Sequence, residues 1–338
     1  MTQASVDKPA KVKTVWQTVN GIVLLDKALG ASSNQALQQV RRVYKAAKGG
    51  HTGTLDPLAT GLLPLCLGEA SKFAQGLLDA DKTYTARLCL GVTTATGDAE
   101  GQVLERKPVR FAQAQLDEVI ARFTGAIEQI PPMFSALKHQ GKPLYELARQ
   151  GINIERAPRP VVIYSLTVLG SSFLDGANCA VGCEVGCEAG QAWIDIEAKV
   201  SKGTYIRTLG QDIGAALGCG AHLSALRRTA VAGWTIKDAS TLEALQRLDE
   251  QGLQAKLLAS DAMLSSLEQV KIDAAQQILF GNGGRVRVKP ICSESKPDGQ
   301  LIKSVRVYHQ AHFLGVAELK NGVLHPVRLI GKMAQLNA

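Results

Sequence analysis

The chain has 338 residues, of which 46% are hydrophobic and 20% charged, a composition typical of a globular protein with material for more than one domain. It contains no run of about 18 apolar residues of the kind that spans a membrane. Its polar first 17 residues lack the apolar stretch of a secretory signal. The seven cysteines are an odd number in a chain too long to depend on disulfides, so they predict reduced thiols in a cytoplasmic protein.

The net charge of +8 is distributed unevenly. From Lys271 to the C-terminus, ten Lys and Arg stand against four Asp and Glu, whereas the preceding 270 residues carry 28 against 26. A solubilising surface is one explanation, but this concentration of charge favours contact with phosphates. The sequence therefore predicts a small basic C-terminal module attached to a nearly neutral body.

The first predicted elements are a disordered leader over residues 1–17 and a short buried strand over residues 21–26. Ser32 and Ser33 then predict the N-terminal cap of a helix that extends to Ala47. One face of this helix is basic, and a Gly-rich segment follows the helix directly. This combination favours a phosphate-binding role for the basic face over an ordinary solvated one.

Further along the chain, alternating patterns predict strands over residues 83–90 and 192–200. Helices are predicted near residues 112–124, 204–217 and 240–266. Residues 131–161 carry scattered basic side chains and predict an inserted arm, and short strands separated by Gly turns after residue 271 predict a small β-barrel. Because strands and helices do not alternate regularly, the fold class is predicted as α+β.

Residues 49–72, GGHTGTLDPLATGLLPLCLGEASK, carry the most chemical information. Their glycines and prolines predict a tightly turned loop. By local pattern Asp56 before Pro57 is typical of a helix N-cap. The surrounding leucines would partly bury its carboxylate, as in a functional acid that has a cationic partner. His51 is not a metal-site signal, because no second His or Cys lies at ligand spacing.

This segment resembles the catalytic signature of the bacterial tRNA pseudouridine-55 synthase (TruB) family. The similarity extends upstream to GIVLLDKALGASSNQAL and downstream to DADKTYTARLCLGVTTATGDAEG, IPPMFSALKHQGKPLYELARQG and SKGTYIRTLGQDIG. It implies a catalytic domain over residues 18–268, with a mixed, mainly antiparallel sheet, helices, and an RNA-binding insertion near 131–161. The basic module, residues 271–335, resembles the PUA-type RNA-binding domain of that family.

The resemblance also implies roles for individual residues. Asp56 would be the catalytic aspartate, and Arg207 would pair with it and keep it ionised. Tyr84 would stack on the flipped uracil, and Tyr205 would support the ion pair. Three more residues would shape the site: Leu226 by closing an apolar pocket, His51 by entering the T-loop, and Lys27 by shaping the site or the phosphate track. Without the resemblance, Tyr84, Tyr205, Leu226 and Lys27 are typical of ordinary structural positions.

The implied reaction isomerises uridine 55 in the T-loop arm of tRNA to pseudouridine. The base is flipped out, its N1–C1′ bond breaks and a C5–C1′ bond forms, so no cofactor is expected. Whether the aspartate attacks as a nucleophile or acts as a base stays open. The expected partner is tRNA, with the acceptor arm on the C-terminal module; no guide RNA, no membrane and a monomer are expected. The alternatives are a guide-dependent isomerase and a non-catalytic RNA-binding protein or tRNA folding chaperone.

Residues 175–190 are longer than the usual strand connection of that family. Cys179, Cys183 and Cys187 recur every four residues there. Because a zinc site normally has four ligands in paired spacing, we predict a surface hairpin without a metal.

Overall fold

A computed structural model describes residues 15–172, 192–288 and 303–331. Residues 1–14, which make up most of the predicted leader, lie outside the described residues, as do Cys179, Cys183 and Cys187. Among the described residues, no helix is long and apolar enough to cross a membrane.

The first half of the chain forms nine strands and four helices. The strands are β1 (Gly21–Lys27), β2 (Gly49–His51), β3 (Ala59–Leu67), β4 (Lys82–Leu90), β5 (Val92–Thr94), β6 (Val103–Arg106), β7 (Gly125–Gln129), β8 (Lys138–His139) and β9 (Lys142–Pro143). The helices are α1 (Ser33–Val43), α2 (Gln75–Asp79), α3 (Gln113–Arg122) and α4 (Leu144–Arg149), with a 3-10 helix over Gly68–Phe73.

The described residues of the second half add ten strands and four helices. The strands are β10 (Arg159–Ser171), β11 (Trp193–Val200), β12 (Ala221–Val231), β13 (Trp234–Thr235), β14 (Ser240–Thr241), β15 (Glu268–Lys271), β16 (Val286–Arg287), β17 (Lys303–His309), β18 (His312–Lys320) and β19 (Val323–Leu329). The helices are α5 (Ile206–Ala216), α6 (Leu242–Gln246), α7 (Glu250–Ala255) and α8 (Ala274–Gly281), with 3-10 helices over Ile236–Asp238 and Ala262–Leu264.

The main sheet has ten strands in the order β14-β1-β3-β12-β4-β11-β10-β7, with β2 beside β3 and β13 beside β12. Only the β1–β14 and β3–β12 pairs of this sheet are parallel, which confirms the predicted mixed, mainly antiparallel α+β fold. β12 separates β3 from β4, although β3 and β4 follow each other in the sequence. The central strands are therefore buried and supply both main cores.

The second sheet has five strands in the order β15-β17-β18-β19-β16. It curls around a separate apolar core that includes Phe280 of α8, Val305 and Val307 of β17, and Leu314 of β18. This arrangement confirms the predicted PUA-like C-terminal β-barrel as a curled half-barrel.

Helix α1 begins as predicted but ends early. The Ser32 hydroxyl accepts from the backbone N–H of Gln35, and the Gln35 side chain accepts from Ser32 N–H, a complete capping box. The helix ends at Val43 rather than Ala47, because Lys45 has a left-handed φ of 52°. The predicted basic face of the helix consists of Arg41, Arg42, Lys45 and Lys48. The last three are exposed, whereas Arg41 donates to the carbonyls of Ala46 and Ala47.

The prediction that residues 49–72 form a loop was wrong for its second half. β3 is nine residues long and almost wholly buried, since it lies between β1 and β12. Gly61 is required there: its φ is 99°, and a Cβ atom would lie 2.3 Å from the carbonyl oxygen of Arg228. No helix follows Asp56. Its carbonyl accepts from Ala59 N–H at 3.0 Å, a turn that leads into β3, so the N-cap interpretation is excluded.

The predicted helix over residues 240–266 is broken into β14, α6, α7 and a 3-10 helix. Two internal caps explain the break, because the Thr241 hydroxyl accepts from Ala244 N–H and the Asp249 carboxylate accepts from Gly252 N–H. The predicted reduced thiols are found at Cys66 and Cys219, which are free and buried. Cys89, by contrast, is disulfide-bonded.

Candidate active site

The structure has a cleft of about 290 Å³ beside the middle of the main sheet. Its walls come from six separate parts of the chain: the loop before β3, helix α2, strand β4, residues 135–136, the segment from the end of β11 to the start of α5, and strand β12. Five of the seven predicted site residues line this cleft, namely Asp56, Tyr84, Tyr205, Arg207 and Leu226. Residues far apart in the sequence therefore form one site.

The register of β12 builds one wall of the cleft. Leu226 lies opposite Ala59 of β3 and Ala86 of β4. Two residues further along β12, Arg228 lies opposite Tyr84 of β4. Because side chains two positions apart in a strand share a face, this register places an apolar residue and a cation on the same side of the strand.

Arg207 holds the centre of the site. Its Nη2 lies 3.0 Å from Oδ2 of Asp56, and its Nη1 lies 3.4 Å from Oδ2 of Asp98. Nη1 also donates to the carbonyl of Thr96 at 3.2 Å, and Nη2 donates to that of Phe134 at 2.6 Å. The side chains of Arg207 and Asp98 are 7% and 4% exposed, whereas that of Asp56 is 43% exposed. The guanidinium is thus fixed on several sides while the Asp56 carboxylate remains open to the cleft.

Burial raises the pKa of Asp56 above that of an ordinary aspartate. Arg207 and Lys27 act in the opposite direction because their positive charges favour the carboxylate, while Asp98 adds to the increase. The result is a carboxylate that is more basic than one in water. Such a group is suited to act as a nucleophile or as a general base.

The two remaining predicted residues lie outside this cleft. Lys27 is buried, and its Nζ donates to the carbonyls of Ala28 at 2.9 Å and Ala31 at 2.6 Å. Desolvation lowers the pKa of Lys27 to about 8. His51 lines a neighbouring cavity of about 430 Å³, which also contains Asp56 and Arg207. Burial lowers the pKa of His51, and its Nδ1 has no hydrogen-bond partner among the described residues.

Sequence reasoning missed three residues of this region. Arg228 is 1% exposed and lines the cleft; its Nε donates to Leu62 O at 2.7 Å and its Nη2 to Gly53 O at 3.2 Å. Lys82 also lines the cleft. Asp98 shares Arg207 with Asp56. The signal available for Arg228 was the pair of arginines that follows the mainly apolar run AHLSAL in β12. The signal for Lys82 was its position two residues before Tyr84.

The predicted arm, residues 131–161, borders the site. Its first residues, Phe134, Ser135 and Ala136, line the cavity that contains His51, and Phe134 is the arm residue that accepts from Arg207. The basic side chains of the arm are mainly exposed: Lys138, His139, Lys142, Arg149 and Arg159, with Arg156 half-buried. Positive charge therefore lies close to the cleft, where a polyanion would approach.

The cleft combines a fixed carboxylate, two tyrosines and an apolar wall. Aromatic and apolar surfaces bind a planar ring, and the carboxylate lies where it can act on the atoms attached to that ring. The exposed cations at the rim suit a substrate with a phosphate backbone. This arrangement fits an enzyme that acts on an extruded nucleobase.

Comparison with known families agrees with this geometry. A family described as TruB family pseudouridylate synthase (N terminal domain) matches residues 41–206. The tRNA pseudouridylate synthase B C-terminal domain matches residues 207–268, and the C-terminal region of pseudouridine synthase II TruB matches residues 269–330. Fold and site thus define a pseudouridine synthase.

Full-length relatives specify the family. The chain is 50% identical over 319 residues to tRNA pseudouridine synthase B of Dechloromonas aromatica, covering 94% of this chain and 98% of the relative. It is 47% identical over 335 residues to the protein of the same name from Cupriavidus metallidurans, covering 98% and 99%. The chain belongs to the TruB family.

Solved structures show the same fold at lower identity. The crystal structure of a Cbf5-Nop10-Gar1 complex contains a chain with a TM-score of 0.64 and 21% identity, covering 93% of this chain and 86% of that one. The archaeal box H/ACA sRNP Nop10-Cbf5 complex contains a similar chain, with a TM-score of 0.64, 19% identity and coverage of 94% and 88%. This likeness supports the architecture of both sheets.

Proposed function

We propose that this chain isomerises uridine 55 in the T-loop arm of tRNA to pseudouridine, with Asp56 as its essential carboxylate. The relatives named tRNA pseudouridine synthase B support the substrate and the reaction. The observation that carries the proposal is the geometry of Asp56: its carboxylate lies 3.0 Å from Nη2 of the buried Arg207, while its side chain is 43% exposed and lines the cleft.

The reaction is an intramolecular rearrangement. The N1–C1′ bond of uridine breaks, the uracil turns while it remains bound, and C5 forms a new bond to C1′. C5 then loses its proton and N1 gains one, so the proton count of the base is unchanged. Asp56 acts on the ribose in one of two ways. It attacks C1′ as the uracil leaves and is displaced again when C5 bonds to C1′, or it removes a proton from the sugar and returns it once C5 is joined to C1′. No atoms or electrons are exchanged with a second reactant, so the proposal requires no cofactor.

The other cleft residues bind and orient the base. Tyr84 stacks on the extruded uracil through its apolar ring face. Leu226 closes the apolar side of the pocket, and Tyr205 packs beside the Asp56–Arg207 pair. The buried Lys27, which lies outside the cleft, stabilises the negative charge of Asp56. His51, in the neighbouring cavity, enters the T-loop at the position that the target base leaves.

Binding energy comes from surfaces outside the cleft. In the proposed division, residues 18–268 form the catalytic domain, its arm near 131–161 binds the T-loop region, and residues 271–335 bind the acceptor arm. The exposed basic side chains of the arm and the C-terminal module support this division, since phosphate contacts supply most of the affinity for RNA. The proposed enzyme acts as a monomer in the cytoplasm, where its tRNA substrate is available, and without a guide RNA.

The decisive experiment is product mapping on one purified, unmodified tRNA transcript with no other RNA present. We expect stoichiometric pseudouridine at position 55 and none in a matched transcript with cytidine at that position. Conversion that depends on an added guide RNA would identify a guide-dependent isomerase. Tight tRNA binding without any product would identify an RNA-binding protein or a folding chaperone.

A further inference from the structure

The loop that carries Asp56 connects β2 to β3 over residues 52–58. It has no helical or strand pairing of its own, although Leu55 and Leu58 on either side of Asp56 are buried. Buried backbone groups outside a helix or sheet need other hydrogen-bond partners. The contacts of this loop therefore decide where the Asp56 carboxylate lies.

Arg228 of β12 holds the start of the loop. Its Nη2 donates to the carbonyl of Gly53 at 3.2 Å, and its Nε donates to that of Leu62 in β3 at 2.7 Å. The backbone of Arg228 also lies opposite Gly61 in the parallel β3–β12 pair. One planar guanidinium thus ties the loop to the strand that follows it, and the same residue aligns that strand.

Arg228 makes these bonds without a carboxylate partner among the residues that the structure describes. It is 1% exposed, and burying a charge without a counter-ion is costly. The preceding residue, Arg227, instead pairs with Asp26, with its Nη2 2.7 Å from Oδ2. The donors of Arg228 are directed to main-chain oxygens, which indicates that this side chain holds backbone rather than balances a charge.

Ser33, the first residue of α1, holds the middle of the loop. Its hydroxyl accepts from the backbone N–H of Leu55 at 2.8 Å and donates to the carbonyl of Leu55 at 3.0 Å. Ser33 and Leu55 are 2% and 3% exposed, so these bonds are shielded from water. The adjacent Ser32 has a different role, because its hydrogen bonds cap α1.

Backbone contacts hold the loop at and after Asp56. Gly30 N–H donates to the carbonyl of Pro57 at 2.9 Å, and Ala59 N–H donates to that of Asp56 at 3.0 Å. The loop backbone is therefore held at residues 53, 55, 56 and 57, on both sides of the carboxylate. Two of these anchors, Ser33 and Arg228, are side chains, so each can be removed by substitution.

We infer that Ser33 and Arg228 are positioning residues for pseudouridine formation. By fixing the loop backbone, they place the Asp56 carboxylate where it meets the substrate, and neither acts on the substrate itself. The inference rests on the proposed function. A reacting group that is held in place raises the rate of the chemical step, and a misplacement of about 1 Å can cost about 100-fold. Loss of either anchor should therefore lower turnover and leave tRNA affinity, which comes mainly from phosphate contacts, nearly unchanged.

The sharper test is Ser33→Ala, because Ser33 does not line the cleft that holds Asp56. We expect the single-turnover rate at saturating enzyme to fall about tenfold, while Kd for tRNA stays within about twofold of the wild type. Ser32→Ala is the matched control: it removes the cap of the same helix and should lower the denaturant midpoint, yet its rate should match the wild type. A wild-type rate in Ser33→Ala, or an equal loss of rate in Ser32→Ala, would overturn the inference.

The second test is Arg228→Lys, measured at a temperature where the variant is folded. Lysine keeps the positive charge, but one ammonium does not reproduce the planar pair of bonds to Gly53 and Leu62. The single-turnover rate should fall about 100-fold without a change in Kd. Arg227→Gln is the control, since it removes the neighbouring pair with Asp26 and should keep the wild-type rate.

A defect in binding has a different kinetic signature from a defect in positioning. If Ser33→Ala and Arg228→Lys weaken tRNA affinity but keep the wild-type rate, the inference is wrong, as it is if Arg227→Gln loses as much rate as Arg228→Lys. If Arg228→Lys does not fold, Ser33→Ala and its control decide alone. A wild-type protein that forms no pseudouridine, or an Asp56→Asn variant that keeps its rate, contradicts the proposed function instead.

Discussion

Two of the arginine–aspartate pairs in the main body, one inside the main sheet and one at the cleft, differ in what the carboxylate faces. In the closed pair, Arg87 Nε and Nη2 each lie 2.7 Å from a different oxygen of Asp195. Asp195 is wholly buried, and the guanidinium of Arg87 lies 4.2 Å from the ring centre of Trp193. In the open pair, Arg207 is buried while Asp56 remains partly exposed to the cleft.

The difference teaches how one type of ion pair serves two purposes. Both oxygens of Asp195 are used by its partner, so that pair links β4 to β11, where the two residues lie directly opposite each other. Arg207 instead shares its donors between two carboxylates and two backbone carbonyls, which leaves Asp56 only partly engaged. We therefore expect changes in the closed pair to affect stability and changes in the open pair to affect turnover.

The largest effect is expected for Asp56→Asn. The substitution keeps the size of the side chain but removes its charge, so single-turnover pseudouridine formation should fall by about 10⁴-fold or more. tRNA affinity should persist because it comes mainly from phosphate contacts. The free energy of unfolding should change much less than for Asp195→Asn below, because Asp98 still offers Arg207 a counter-ion. Conversion by the variant at a rate near that of the wild type would refute the mechanism.

The second effect is expected for Asp195→Asn in the closed pair. The substitution removes the buried charge that Arg87 Nε and Nη2 engage, which should cost about 3–5 kcal/mol in the free energy of unfolding. Denaturant titration measures this loss. At a temperature where the variant remains folded, its single-turnover rate should match the wild type. Glu197→Gln, an exposed change on the same strand, is the control; an equal loss of stability there would show that the closed pair has no special role.

The third effect concerns the pH dependence of the open pair. Turnover needs ionised Asp56, so the rate rises with pH through the pKa of this carboxylate, which burial already places above its ordinary value. Arg207 lowers that pKa, so Arg207→Met should displace the rise to still higher pH and reduce the rate at neutral pH by about 100-fold. Arg207→Lys keeps the charge and should restore part of the displacement. Identical pH–rate profiles for the wild type and both variants would show that Arg207 does not set the pKa of Asp56.

The smallest effect is expected far from both pairs, on the half-barrel. Arg285 and Arg287 are exposed, and replacing both by Gln should weaken tRNA binding several-fold. The slope of log affinity against log salt should decrease by about 1–2, while the single-turnover rate at saturating enzyme stays unchanged. Lys237→Gln, an exposed change on the main body, is the control. If affinity and slope match the wild type, the basic tail is a solubilising surface.

The sequence predicted correctly those elements whose hydrophobic pattern agrees with their burial in the fold. β1, β4, β11 and the half-barrel strands β16 to β19 alternate or are continuously apolar, and α1 has a clear cap, whereas β15 was not predicted. β3 was missed because Gly61 and Pro64 are typical of loops, although Gly61 is required by the close approach of Arg228. β12 was not predicted, since a fully buried arginine interrupts its apolar pattern. Tertiary packing, rather than local propensity, decides both strands.

The site residues likewise divide into those that the sequence predicted and those whose role depends on tertiary packing. The resemblance to a family brought Asp56, Tyr84, Tyr205, Arg207 and Leu226 forward, and the structure collects them in one cleft. Local pattern alone favoured a helix cap for Asp56, because a turn into a strand and a turn into a helix look alike over a few residues. The contribution of Asp98 could not be predicted, since it depends on how Arg207 divides its donors in three dimensions.

The position of β12 has a consequence for biosynthesis. β3 and β4 are complete once residue 90 has been made, yet the strand that separates them ends only at Val231. Until then, two apolar strand edges are exposed and free to pair with each other or with another chain. The nascent protein must keep this gap open while more than a hundred residues are added. The cleft gains its last wall, Leu226 and Arg228, only when β12 enters between strands made long before it.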